Sequence, residues 1–483
     1  NYAPALAEAY YQQVPLIAVT ADRPREWIDQ QDNQTLRQPY VYRNFIKGSF
    51  ELPQATTTVD DQWYAWRIVN DAINLSVTPG AGPVHINVPM TEPLYDELPP
   101  SPENIRIVEY VVPEISVKLP DILIREWKEA RKIMIIHGQD IPGTPVSHVL
   151  RSFSGDGRII VMAENISHVI APNAIPNSNL ALSISRDHSP DYPDLILHSG
   201  GQVVSKALTG YLRRAGSVSC WRIGADNALI DTFKLVTRYI PVPAIAVYSA
   251  LSALDRPESE FSYRDRWLDT AGTADRMAMG IIRGSPFSDL TVISRIMQLI
   301  PPGINLVLGN SSIIRYAQLF PANSKVKYYA NRGVSGIDGS LSTAAGIASS
   351  TKDLTLALAG DLGFLYDSNA LWNRRLPSSL RIIVINNGGG GIFHILKGPS
   401  DQPGFKEYVE ANHPVDLRHL AAAYGLDYYS CTALTDIDHK WEVFMRTSDK
   451  ATILEIKTDA VTSATVFRHL MGSSLKPDIT GKP

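Results

Sequence analysis

Leu354-Thr355-Leu356-Ala357-Leu358-Ala359-Gly360-Asp361 and Arg381-Ile382-Ile383-Val384-Ile385-Asn386-Asn387-Gly388-Gly389-Gly390-Gly391 decide the fold. Each carries a short apolar run bounded by turn residues, the pattern of a strand buried on both faces. Between them, Tyr366 to Arg375 is expected to form a short helix. Strand, crossover and strand make a βαβ unit, so the two strands run parallel and lie as neighbours. Ligands of such sheets sit beyond the carboxyl ends of the strands. Asp361 and Asn387 therefore reach one sheet edge beside a loop almost bare of side chains. Hard oxygen ligands suit Mg²⁺, and bare backbone can approach a phosphate closely. The plain alternative is a helix-capping Asp and a turn-forming Asn pair, both common after strands.

The segment upstream weighs against that alternative. Asn331-Arg332-Gly333-Val334-Ser335-Gly336-Ile337-Asp338-Gly339-Ser340 follows an expected strand, Val326–Tyr329. A helix of small residues, Leu341–Ser349, should come next. The glycines permit tight turns and close approach of a ligand. The new helix offers its amides and positive dipole end to an anion. Ile337 stands alone as an apolar residue in a polar loop. The plain reading here is a helix start with Asp338 as its cap.

Outward from this region the chain reads as three α/β stretches with no short-period repeat. The third has expected strands at Ile304–Leu308, Val326–Tyr329, Leu354–Ala359, Arg381–Ile385 and Thr452–Ile456. The second has them at Lys132–Ile136, Arg158–Val161, Leu195–Leu197, Ser217–Arg222 and Pro243–Val247. The first has a helix at Ala3–Gln12, a strand at Leu16–Thr20, a helix at Thr58–Leu75 and a strand at Pro83–Val88. Leu98-Pro99-Pro100-Ser101-Pro102 reads as a linker. Arg264–Met277 reads either as linker or as the first helix of the third stretch. Alternating strands and helices imply doubly wound parallel sheets. The expected domains are residues 1–105, 106–266 and 267–483.

Composition narrows the class. With 483 residues the chain exceeds one core, since domains run to about 100–200 residues. Hydrophobic content of 44%, charged content of 19% and a net charge of −4 are ordinary for a globular protein and leave no basic footprint for nucleic acid. No run of 18 apolar residues suggests a membrane span. Cys220 and Cys431 are far apart and form neither a disulfide nor a zinc pattern, which fits a reducing cytoplasm.

The Gly360-Asp361…Asn386-Asn387 pattern resembles the thiamine diphosphate and Mg²⁺ motif of thiamine-dependent enzymes. Further matches are Asn331-Arg332-Gly333…Ser335-Gly336-Ile337-Asp338-Gly339, Thr20-Ala21-Asp22-Arg23-Pro24, Asn33-Gln34…Arg37-Gln38, Gly82-Pro83-Val84-His85-Ile86-Asn87, Gly309-Asn310-Ser311…Arg315 and Ile392-Phe393. Together they resemble the 2-succinyl-5-enolpyruvyl-6-hydroxy-3-cyclohexene-1-carboxylate synthases of menaquinone biosynthesis. The matches lie in the first and third stretches; the middle one is similar in layout only. The resemblance implies a transferase that decarboxylates 2-oxoglutarate on thiamine diphosphate and adds the succinyl carbanion to isochorismate. It implies Mg²⁺ or Mn²⁺ held by Asp361, Asn387 and the carbonyl of Gly389. Ser335, Gly336, Gly360 and Leu362 would contact the cofactor, and Ile337 would bend it. Ile392, Phe393 and Leu396 would wall the active site. A homodimer or homotetramer with the cofactor at its subunit interface is implied as well.

The arginines suit these substrates. Two dicarboxylates enter together, and guanidinium groups grip carboxylates in bidentate fashion. Arg23, Arg315 and Arg332 match family positions for that task, with Arg332 at the reacting centre. Asn33, Gln34 and Ser311 match hydrogen-bonding positions. Taken singly, each arginine reads as a surface charge or an ion pair. His85 alternates with apolar residues and reads as a satisfied buried histidine, while His394 has no assignment. Ser205-Lys206 after Gly200-Gly201 hints at an anion site.

Two departures remain. Leu362 stands where the general thiamine motif has glycine, which the menaquinone branch tolerates. The family's catalytic glutamate falls upstream of Asn1, so residues are expected to precede this chain. The alternatives are another thiamine enzyme, such as acetolactate synthase or a 2-oxoacid decarboxylase, and a noncatalytic anion-binding relative.

Overall fold

The computed structural model describes residues 2–91, 105–111, 116–184, 191–225, 229–255, 262–395 and 403–472. The Leu98–Pro102 linker and Leu396 lie outside them. Strands β1 (Leu16–Asp22), β2 (Gly48–Glu51) and β3 (Pro83–Pro89) form the first sheet, in the order β1-β3-β2. The second contains β4 (Ile133–His137), β5 (Ile159–Ala163), β6 (Ala174–Ile175), β7 (Leu195–Ser199), β8 (Ser219–Ile223) and β9 (Arg238–Ile240), in the order β6-β5-β4-β7-β8-β9. The third contains β10 (Asn305–Leu308), β11 (Lys327–Tyr329), β12 (Thr355–Gly360), β13 (Leu380–Asn386), β14 (Asp427–Cys431) and β15 (Thr452–Lys457), in the order β11-β10-β12-β13-β15-β14. Every pairing is parallel. Three parallel α/β sheets are therefore present, as the alternating pattern implied.

Alternation along the strands explains why two of these sheets are covered on both sides. In the third, Leu306, Leu308, Leu356, Leu358, Ile383 and Ile385 enter one core. Val307, Ala357, Ala359, Ile382 and Val384 enter the other. In the second, Ile133, Ile135, Leu195 and Leu197 face one core, and Met134, Ile136 and Ile196 the other. The first sheet buries less: Ala18 is 5% exposed, but Ile17 and Val19 on the same strand are 39% and 55% exposed.

The chain packs as two compact units, one of Asn1–Ile115 with Ala225–Ala228 and Arg332–Ser335, the other of the remainder. Within the second unit the helix Tyr263–Gly284 serves two cores. Tyr263, Trp267 and Ala271 pack under the second sheet, and Ala274, Ala278 and Ile282 under the third. The segment read as linker or helix is a helix.

Two expectations need correction. Pro243–Val247 is not a strand; Ala244–Ser252 is a helix with Pro243 at its N-cap. Pro241 and Pro243 lack ladder donors, and Val247, Tyr248 and Leu251 recur on one helical face. The crossover between β12 and β13 is not one helix over Tyr366–Arg375. It is a helix at Asp361–Tyr366 followed by a 3₁₀ turn at Ser368–Trp372. Asp367 breaks it by turning its carboxylate to Ser342 N–H and Oγ at 2.7 and 2.6 Å.

Candidate active site

β10 is flanked by β11 and β12, so the chain reverses its direction of travel across the sheet there. Such a switch point opens a crevice beyond the carboxyl ends of the strands. A cavity of about 140 Å³ lies at that position. Gly309 to Ile313 after β10, Gly360 to Gly363 after β12 and Asn387 with Gly389 to Phe393 after β13 line it, together with Ile337, Ser340 and Asp289. Register fixes the meeting: Gly360 pairs with Ile385, so Asp361 and Asn387 both leave the sheet just past its edge.

Asp361 is 3% exposed. Its Oδ2 accepts the N–H groups of Gly388 and Gly389, each at 2.9 Å, and its Oδ1 accepts that of Leu362 at 2.7 Å. Burial pushes its pKa up from the ordinary carboxylate value, against these hydrogen bonds and His413, whose Nε2 lies 3.3 Å away. Gly390 N–H donates to Glu410 O at 2.5 Å and Gly391 N–H to Gly389 O at 2.9 Å. The amides of the glycine run are thus used inside the protein, and the run serves chiefly to bring backbone up to Asp361. Gly389 has φ +152°, and a Cβ there would stand 2.6 Å from Glu410 O.

Asn387 gives its Nδ2 to Asp289 Oδ2 at 2.8 Å. Its Oδ1 is buried without a protein partner. A buried orphan acceptor is costly unless something else meets it. Asn387 Oδ1, Asp361 and the Gly389 carbonyl are hard oxygen donors of the kind Mg²⁺ takes. Among the described residues no cluster of three or more His, Cys, Asp or Glu could hold a metal. Any cation here would rely on this mixed set.

The opposite wall fits an anion. The helix Ser340–Ser350 starts at the cavity after Gly339, which has φ +80°. Ser340 Oγ is buried without a protein partner. Asn310 Nδ2 donates to Asn331 O and Gly336 O, each at 2.6 Å, and so ties the loop after β10 to the one after β11. Ser311 is held at φ 67°, ψ −123°, a region that costs a non-glycine residue roughly 1–3 kcal/mol. Ile337, Leu362, Ile392 and Phe393 supply the apolar lining.

The remaining candidates divide between the two units. Arg315, half-buried, donates Nη1 to Ser311 O at 2.8 Å, and burial lowers its pKa. Arg332 and Ser335 belong to the first unit. There Glu8 accepts the N–H groups of Gly333 and Val334 at 2.6 and 2.7 Å. Arg23 lines a separate cleft of the first unit and is paired with Asp32 at 2.8 Å. Asn33 and Gln34 are exposed, with Gln34 at φ 59°.

His85 is buried with Nε2 2.7 Å from Thr20 Oγ1, but its Nδ1 has no partner, so it is only half satisfied. His394 pairs with Glu410 at 2.5 Å. The Ser205 hint has an internal answer: Glu164 accepts Val204 N–H and Ser205 N–H at 2.8 and 2.7 Å. Sequence reading missed Asp289 and Ser340. Ser288-Asp289 before an apolar-periodic run marks a helix start, but the partners of Asp289 lie far along the chain.

Residues 308–456 match the family of thiamine pyrophosphate enzymes, C-terminal TPP binding domain. The whole chain is similar to curated proteins named 2-succinyl-5-enolpyruvyl-6-hydroxy-3-cyclohexene-1-carboxylate synthase. The relative from Desulfotalea psychrophila is 35% identical over 464 residues, covering 95% of this chain and 84% of its own. That from Porphyromonas gingivalis is 33% identical over 488 residues, covering 98% and 85%. That from Cytophaga hutchinsonii is 34% identical over 481 residues, covering 97% and 84%. With that likeness over nearly its whole length, and a cavity built where the family's C-terminal domain matches, the chain belongs to the 2-succinyl-5-enolpyruvyl-6-hydroxy-3-cyclohexene-1-carboxylate synthase family of thiamine pyrophosphate enzymes.

Proposed function

We propose that this protein joins 2-oxoglutarate, with loss of CO₂, to isochorismate, giving 2-succinyl-5-enolpyruvyl-6-hydroxy-3-cyclohexene-1-carboxylate for menaquinone synthesis. The observation that carries the site is the buried, partnerless Oδ1 of Asn387, whose loop brings the Gly388 and Gly389 amides to Asp361, inside the matched segment. Thiamine diphosphate, when bound, supplies the acidic carbon and electron sink that decarboxylation of a 2-oxoacid needs. Asp361, Asn387 and Gly389 hold Mg²⁺ or Mn²⁺ through oxygen. Ser335, Gly336, Gly360 and Leu362 would line the cofactor, and the apolar bulk of Ile337 would pack against it.

Arg315, with no carboxylate partner among the described residues, offers its guanidinium to a substrate carboxylate. Arg23 is ion-paired to Asp32 at 2.8 Å and must exchange that partner for a substrate one. Arg332, Asn33, Gln34 and Ser311 complete the substrate contacts, and Ile392, Phe393 and Leu396 exclude water. The domains are 1–105, 106–266 and 267–483, the last two sharing the helix Tyr263–Gly284 across their boundary. The protein works as a homodimer or homotetramer in the cytoplasm; two free, buried cysteines fit that compartment. No described helix is long and apolar enough to cross a membrane.

The test is product formation by purified protein given both substrates, thiamine diphosphate and Mg²⁺. CO₂ release that matches loss of isochorismate supports the reading. Preference for pyruvate would favour acetolactate synthase or a decarboxylase, and no turnover with cofactor bound a noncatalytic relative.

A further inference from the structure

Asn387 can serve a cation only through its carbonyl end. A carboxamide is nearly symmetric in shape, yet one end donates and the other accepts. The neighbour at one end therefore decides which end faces the cavity. That neighbour is Asp289, whose Oδ2 accepts Asn387 Nδ2 at 2.8 Å. Oδ1 is left pointing the other way, buried and without a protein partner.

Asp289 is itself held in place. Its Oδ1 accepts the Thr458 hydroxyl at 2.6 Å, and its N–H donates to Ser463 Oγ at 3.0 Å. It is 3% exposed and lines the cavity. Its carboxylate thus bridges the Thr458 hydroxyl and the Asn387 amide. Helix capping does not explain it, because Ser288 already caps the helix Asp289–Leu299 through Thr291.

We infer that Asp289 is a positioning residue: it locks the Asn387 carboxamide with its N–H end turned to Oδ2 and Oδ1 toward the cavity. This rests on the cation site proposed above. Partners behind a metal ligand typically set affinity by about 10–100-fold. Asp289→Asn should therefore weaken Mg²⁺ at least about 10-fold, by calorimetric titration of the purified protein with thiamine diphosphate present. Saturating Mg²⁺ should restore cofactor affinity, a split that general loss of structure does not produce. Asn387→Asp alone sets two carboxylates face to face and should also bind weakly. The exchange Asp289→Asn with Asn387→Asp rebuilds an amide–carboxylate pair with an oxygen toward the cavity, and should bind more tightly than either single variant. Unchanged Mg²⁺ affinity in Asp289→Asn, or an exchange no better than the singles, overturns the positioning role while wild-type binding stands. Cofactor binding by the wild type that ignores Mg²⁺ removes the cation site and this inference with it. Should Asp289→Asn not fold, Thr458→Val, which loosens Asp289 only from behind, must still weaken Mg²⁺, and unchanged affinity there also overturns the role.

Discussion

At the scale of single residues the cavity keeps two buried polar atoms, Asn387 Oδ1 and Ser340 Oγ, without a protein hydrogen-bond partner. Asp361→Ala removes the carboxylate that holds Gly388 and Gly389, so Mg²⁺-dependent binding of thiamine diphosphate should be lost in a calorimetric titration. Arg315→Ala removes a guanidinium whose one bond among the described residues is to a carbonyl. A charged hydrogen bond contributes roughly 1.5–3 kcal/mol, so kcat/KM for one dicarboxylate should fall about 10–150-fold. Unchanged kinetics for both substrates would remove Arg315 from the binding set. Asp361, Asn387 and Ile337 were legible because each breaks a local pattern: polar after an apolar strand, or apolar in a polar loop. Asp289 was not. Its meaning depends on Asn387, Thr458 and Ser463, brought to it only by the finished sheet.

At the scale of elements, strands buried on both faces announce themselves, because apolar runs bounded by glycine and asparagine have few other homes. β10, β12, β13 and β15 lie where the sequence placed them, to within a residue or two at their ends. Four edge strands were missed, β2 of four residues, β6 of two, β9 of three and β14 of five, whereas the three-residue edge strand β11 was expected at Val326–Tyr329. An edge strand carries less of the unbroken apolar run that marks a central one. Ile382 on β13 is fully buried, and Ile382→Ala should destabilise by about 2–5 kcal/mol in denaturant unfolding. The loop after β13 is fixed differently. Gly389→Ala places a Cβ 2.6 Å from Glu410 O at a φ that disfavours side chains, so cofactor affinity should drop together with a modest fall in Tm. A fall in Tm as large as that of Ile382→Ala would make the glycine structural instead.

At the scale of the molecule, pH acts through buried histidine. Burial first, then the Arg222 charge and His137, pushes His198 down to about 3. It is neutral when folded but protonates at its ordinary value when unfolded. Stability is therefore full above that ordinary value and is lost as pH falls toward 3, by up to about 1.4 kcal/mol per pH unit. His198→Gln should flatten this slope in denaturant titrations between those limits. The helix Tyr263–Gly284 bears on how this loss spreads, since its first half lies under the second sheet and its second half under the third. A shared beam of this sort leaves no hinge and no clean line of dissection. Severing it would strand apolar faces on both sides, so the two sheets should melt as a single calorimetric transition, and any allosteric message between them must travel as rigid-body strain rather than as the swing of a free domain.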